Sequence, residues 1–368
     1  MGYYAPKDFV RNPELLEKVV EIFKGKLSLR WMDTKTERVR FRPSHPDRGL
    51  VYDDTNFGSY GWDAIPEKIR HNFSMAPRGS FMPPGLPHLG YDINRKSEVW
   101  SDAAPGLYEE AKSRHWVPTR QVPWEALERP GHSDDMERGL AQLYTDLTTM
   151  ATALEDFPSK WVWHINHEML ELKSWLCAQM MDAAQLTDVF RKRALAGGTG
   201  LGRDHAPLGE FLRGVLDSGS FPCASIGANL MLAGLMQTLL RHIGSVSTNA
   251  ADQTLVRFGV QDISRMLSYG TSHLRYLLAA RPHEKTGLAD HLCEVESLAI
   301  GLLGSPLFFS SLAVVTGGGR KGATAAAPRV IRLYRSLADE HLARCRAVGL
   351  ERAPEKTPIA VFVREIEA

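Results

Sequence analysis

Apolar residues recur three and four apart, with no internal proline, from Trp161 to Gly198 and again from Gln253 to Arg281. That period is the mark of a helix burying one face, so each stretch predicts one long helix. The same period extends from Ser133 almost to the end of the chain. A first helix is expected to start at an N-cap formed by Ser133 or Asp134, with Glu137 placed to return a bond to the cap. It should run to about Asp156, because Pro158 lacks the N–H that a helix interior needs. A second is expected over about 159 to 196, stopped by Gly197-Gly198. A short segment at Leu208 to Leu216 precedes a third helix over about 222 to 243. A fourth covers about 249 to 280 and is stopped by Pro282. Two more are expected over 286 to 315 and 328 to 347, separated by a loop from Thr316 to Ala327.

Residues 1 to 135 have a different character. They hold 13 of the 21 prolines and five of the eight tryptophans, which breaks periodicity and leaves aromatics that an extended segment cannot bury alone. One helix is expected, Pro13 to Gly25, with Leu15, Leu16, Val19, Val20 and Phe23 on one face. The rest of 1–135 reads as an extended, wrapping arm with short helices. Tyr108 to Trp124 should begin as a helix and end as a proline-punctuated link, since Pro118 and Pro123 push the preceding residues out of the helical region. Residues 136–348 form the helical body, and 349–368 form a C-terminal tail.

Composition changes this picture little but excludes much. At 43% hydrophobic and 24% charged residues, the 368-residue chain can build a sizeable soluble core. Its 44 Lys and Arg nearly balance 43 Asp and Glu, so the counterion release that drives nucleic-acid binding is missing. Cys177, Cys223, Cys293 and Cys345 lack the spacing of a zinc site or a thiol redox pair. The amino terminus lacks the apolar segment of a secretory signal. Together these favour reduced thiols and a cytoplasmic location. Ser218 to Leu240 and Leu298 to Val315 are uncharged and approach membrane-span length. Their internal polar and small residues fit helices buried inside a bundle better.

The two long stretches echo each other. Asp182-Ala-Ala-Gln-Leu186 and Asp262-Ile-Ser-Arg-Met266 occupy the same relative place, and Gln179 to Phe190 carries the pattern Gln-x-x-Asp-x-x-x-x-x-x-x-Phe. The chain resembles ferritin-like hydroxylases of the ribonucleotide-reductase small-subunit and bacterial multicomponent monooxygenase kind, over roughly residues 110 to 348. That superfamily pairs Asp-Glu-x-x-His motifs on two helices, and the resemblance implies an all-α, ferritin-like bundle. The four places that correspond to metal ligands hold Ala183, Leu186, Ile263 and Met266. Asp182 and Asp262 stand where the family keeps carboxylates supporting its ligands, with Arg265 as their partner. Charged ligands without metal would be costly in an apolar core, so apolar replacements suit a framework with a degenerate diiron site.

The resemblance therefore implies a non-catalytic, scaffolding subunit of a multicomponent diiron oxygenase acting on a small organic substrate. No cofactor is expected in this chain. The diiron centre would sit in a catalytic partner of the same fold, served by a reductase and an effector protein. Two other readings are a self-standing ferritin-like oxygenase with an atypical metal or cofactor site, and a peripheral membrane helical protein. His164, His167, Glu168 and Glu171 do not rebuild the site, because Glu168 lies about 22 Å along the helix from Ala183. Gly197-Gly-Thr-Gly-Leu-Gly202 has the glycines of a dinucleotide loop, but it ends a helix instead of following a strand.

Overall fold

The structure, a computed structural model, describes residues 13–26, 29, 93–129, 131–166 and 169–367. Among them every regular element is helical, and the one β contact is an isolated parallel bridge between Ile93 and Ile165. The all-α expectation holds. Helix α1 (Pro13–Phe23) belongs to one of two compact units, and all that follows residue 93 belongs to the other. Most of the expected arm lies outside the described residues. Its described end carries α2 (Lys96–Val99), α3 (Ala104–Ser113) and α4 (Pro118–Gln121), then a 3₁₀ turn at Trp124–Leu127.

The body follows as α5 (Asp134–Val162), α6 (Leu170–Ala196), α7 (Ala206–Leu216), α8 (Phe221–Val246), α9 (Ala250–Ala280), α10 (Lys285–Leu303), α11 (Pro306–Thr316), α12 (Arg320–Ala347) and α13 (Pro358–Glu367). The Ser133 hydroxyl caps α5 by accepting from the Met136 N–H. Glu137 does not complete the expected capping box, because its carboxylate turns inward to Arg193.

Four boundaries differ from the periodicity. Helix α5 continues through Pro158. A mid-helix proline costs about 3 kcal/mol, but Phe157 and Trp161 are buried there against Phe221, and burying two such rings outweighs that cost. Helix α6 begins at Leu170 because residues 163–166 leave the helix to make the bridge, in which Ile93 donates to His164 O and Asn166 donates to Ile93 O. The loop expected from Thr316 to Ala327 shrinks to Gly317–Gly319. The turn needs φ values of +71° and +135° at Gly318 and Gly319, and α12 then runs through Pro328. The expected helix over 286–315 is bent by 62° at the Gly304-Ser305 break.

Helix α8 is the only described single helix long and apolar enough to cross a membrane, and 89% of its apolar window is buried inside the fold. It is a core helix. Residues 226–232 within it form a π-helical segment, a local widening that re-aims side chains and often marks a functional site. Helix α5 packs along α6, and α8 along α9. Helices α6 and α9 face each other antiparallel, since Arg193 meets Asp252 at one end and Asp182 meets Arg265 nearer the other.

Candidate functional site

The site lies on the facing stripes of α6 and α9. Gln179, Asp182, Ala183 and Leu186 follow the three-and-four spacing of one helical face, as do Asp262, Ile263, Met266 and Gly270. The four apolar replacements, Ala183, Leu186, Ile263 and Met266, are wholly buried. One Leu186 methyl faces Gly259, where an added Cβ would lie 3.6 Å from it. Burying Leu, Ile and Met side chains stabilises the bundle by about 1.5–3 kcal/mol each.

Polar residues flank this apolar centre. Arg265 donates from Nε (3.1 Å) and Nη2 (2.6 Å) to Asp182, and from Nη2 to Asp262 at 2.6 Å. Trp116 arrives from the α3–α4 link, donates to the other Asp262 oxygen at 2.8 Å, and stacks on Phe258 with ring centres 4.7 Å apart. One guanidinium thus serves two buried carboxylates. Burial, and then the Asp262 charge, push the Asp182 carboxyl up to about 7 against the pull of Arg265. Burial raises Asp262 as well. Near neutral pH the pair can hold one proton between them, which balances the single cation. Asp182, Asp262 and Arg265 thus lie together in one buried hydrogen-bonded cluster.

On the other side, Gln179 donates to Asn229 at 2.8 Å, and Asn229 donates to Ser225. Asn229 lies in the π-helical segment and presses on Gly270, where a Cβ would come within 2.6 Å of the Asn229 Cβ. Farther along, Trp175, Tyr269 and His273 form an aromatic layer, with Tyr269 donating to Val99 O. His273 Nδ1 lies 3.1 Å from Trp100 O, a carbonyl that can only accept, so Nδ1 carries the proton. Burial holds the His273 pKa down at about 4. Its imidazole is neutral, with Nε2 an open acceptor.

Four buried polar atoms on these two stripes have no partner among the described residues: Trp175 Nε1, Gln179 Oε1, Arg265 Nη1 and His273 Nε2. Two are donors and two acceptors. An unmet buried polar group costs about 1–3 kcal/mol.

A second buried ionic cluster closes the opposite end of the α6–α9 interface. Arg193 donates to both Asp252 oxygens, at 2.5 and 3.1 Å, and to both Glu137 oxygens. Tyr144 and Ser247 also donate to Asp252. Despite burial, the bonds from His132 and Arg193 hold the Asp252 carboxyl well below its usual range. Neither this cluster nor His273 stands out in the sequence. The available signal was spacing by seven: Gln179, Leu186 and Arg193 on α6, and Asp252, Gly259, Met266 and His273 on α9. Of the earlier histidine and glutamate candidates, His164 and Glu171 are buried near the α5–α6 turn, while His167 and Glu168 lie outside the described residues.

Long antiparallel helices in two packed pairs, with a polar site between α6 and α9, define a ferritin-like helical bundle. In fold the chain is similar to solved R2-like ligand-binding oxidases. One, a variant with anaerobically reconstituted Mn/Fe cofactor, shares 14% identity over 71% of this chain and 92% of its own, with a TM-score of 0.46. Another, with aerobically reconstituted Mn/Fe cofactor, shares 14% over 72% and 90% at 0.45. A third variant shares 12% over 77% and 96% at 0.46. No protein-family profile and no curated protein matches the sequence.

This comparison corrects two expectations. The chain was expected to be a non-catalytic scaffolding subunit with no cofactor of its own, its diiron centre held by a partner. The solved structures are named as oxidases and carry a Mn/Fe cofactor themselves. Apolar residues at Ala183, Leu186, Ile263 and Met266 describe those four positions only, and do not remove a cofactor from the chain. The donor set nevertheless differs from that of a paired-metal centre. Among the described residues no three His, Cys, Asp or Glu side chains converge to hold a metal ion, and the Arg265 cation already balances the Asp182–Asp262 charge. A two-metal centre of six protein ligands does not fit the α6–α9 site.

Proposed function

We propose that the chain is a self-standing ferritin-like oxygenase or oxidase whose α6–α9 site is atypical, holding a small polar cofactor or ligand group by hydrogen bonds instead of a six-ligand metal pair. The unpartnered buried atoms Trp175 Nε1, Gln179 Oε1, Arg265 Nη1 and His273 Nε2 carry this reading. Buried polar groups are normally satisfied, and a run of donors and acceptors on facing helices suits a guest that both accepts and donates. Within this proposal the Asp182–Asp262 pair holds a proton beside the guest, Arg265 orients both carboxylates, and the aromatic layer excludes water. Electrons from a reductase and a cytoplasmic location complete the proposal.

The test uses the full chain, purified without detergent. Metal analysis, an absorption spectrum and oxygen uptake with a chemical reductant are measured together. A bound chromophore or small polar molecule without a stoichiometric metal pair, and uptake that falls at least tenfold in Gln179→Leu, is the expected result. A chain with neither bound group nor uptake overturns the proposal.

A further inference from the structure

The glycine-rich stretch after α6 has no part in the α6–α9 site, and it forms one wall of a separate cavity of about 470 Å³. We propose that this cavity binds a small phosphate-bearing anion of the nucleotide type. This inference is independent of the oxygenase reading.

The wall is fixed in place. Gln142 on α5 donates to Arg203 O and accepts from Arg203 N, both within 2.9 Å, and Gly202 N donates to Thr145 Oγ1 at 2.8 Å. The loop lies so close to α5 that a Cβ at Gly202 would come within 2.6 Å of Gln142. Gly198 and Gly200 take left-handed conformations, with φ of +75° and +81°. Successive turns of this kind direct backbone N–H groups into one concavity, the arrangement that receives anions. The Thr199, Gly200 and Leu201 N–H groups make no hydrogen bond within the described residues.

Charge points the same way. Arg138, Arg203 and Arg320 line the cavity against one carboxylate, Asp135, and that carboxylate is engaged by Arg320. Arg138 and Arg203 have no ion pair among the described residues. Two uncompensated guanidinium groups with open amides suit a multiply charged phosphate better than a single carboxylate. Leu201, Leu307 and Val314 provide an apolar side for a base or similar ring. The volume lies in the range of small-ligand sites.

The test is calorimetric titration of the full chain with pyrophosphate and, separately, with ATP, both without magnesium and at low salt. Binding of either probe is expected, with affinity lowered at least tenfold in the double variant Arg138→Gln/Arg203→Gln. Both side chains are exposed, so the variant should fold. The variant Arg275→Gln, in a different cationic pocket, should bind like the parent. Equal affinity for both probes assigns recognition to phosphate alone, whereas tighter ATP binding adds the apolar side. No binding of either probe at about 1 mM, or unchanged affinity in the double variant, overturns the proposal.

Discussion

Arg265 holds Asp182 across the α6–α9 interface while bonding Asp262 one turn away on its own helix, at 2.6 Å to each carboxylate. The two acids are not equivalent to the cation in cost. Replacing Arg265 by Leu leaves two buried carboxylates without a counter-charge, and breaking a buried pair in this way typically costs about 3–5 kcal/mol. Asp182→Asn replaces the carboxyl that shares a proton with Asp262 by a neutral amide and leaves Arg265 paired with Asp262, so its cost should stay below about 1.5 kcal/mol. Urea denaturation of the two variants at pH 7 should separate them in that order. Equal destabilisation would show that Arg265 acts by packing alone.

The Asp146 carboxyl gives a pH prediction of known sign. Burial pushes it up to about 7 against the bond from Gln142, and one of its oxygens has no partner. A folded pKa above the ordinary 3.8 means that the folded state binds the proton more tightly. The resulting stability is full below about 3.8 and is lost as pH rises towards 7. Asp146→Asn keeps an acceptor for Gln142 and removes the titration. The variant should therefore gain on the order of 2 kcal/mol over the parent at pH 8 relative to their difference at pH 5. Melting curves at the two pH values check this, and a constant difference would refute it.

Much of this framework was legible because helical periodicity is a property of the burial pattern itself. The run from Ser133 predicts α5 to α9 within a few residues, except at Pro158, through which α5 continues, and at Ile165, which lies outside α6. Neither exception could be read locally. Pro158 is tolerated because Phe157 and Trp161 pack on Phe221, more than 50 residues away in sequence, and Ile165 leaves the helix to meet Ile93. The Asp182–Arg265–Asp262 cluster was legible because its three residues lie within the two echoing motifs. Glu137, Arg193 and Asp252 were not, since a charged residue on a helix is ordinarily solvated and only its partners across the bundle make its burial tolerable.

His341 in α12 gives the opposite chemistry with the same sign. Burial disfavours its charge, but the Cys345 sulfur at 3.7 Å and the Glu296 carboxylate at 2.7 Å outweigh that and hold its pKa up at about 9. Glu296 also binds Arg352, which donates to Cys293 as well. Stability from His341 is fully present below its ordinary value of 6.5 and is lost as pH rises through about 9. His341→Gln should be less stable than the parent by on the order of 2 kcal/mol at pH 6, with the gap narrowing by pH 10. Chemical denaturation across that range measures the gap. A gap that does not narrow would mean the imidazole is neutral in the fold.

Two glycines on neighbouring helices should respond oppositely to alanine. Gly287, in the first turn of α10, has nothing within 4 Å of an added Cβ, so Gly287→Ala brings only the helix propensity gain of about 0.5–1 kcal/mol. Gly270 gains the same propensity, but its Cβ would lie 2.6 Å from the Asn229 Cβ and 3.3 Å from the Asn229 carbonyl. Those atoms belong to the π-helical segment and cannot swing aside like the end of a flexible side chain. The segment must shift, disturbing the Gln179–Asn229 bond, and overpacking of this kind costs about 1–3 kcal/mol. Gly270→Ala is thus expected to lower stability by about 1 kcal/mol or more net, while Gly287→Ala raises it, in urea denaturation at the same pH. If both variants were stabilised, α8 and α9 would have room between them that the close approach at Gly270 denies, and the α6–α9 site would lose the rigid wall formed by Asn229.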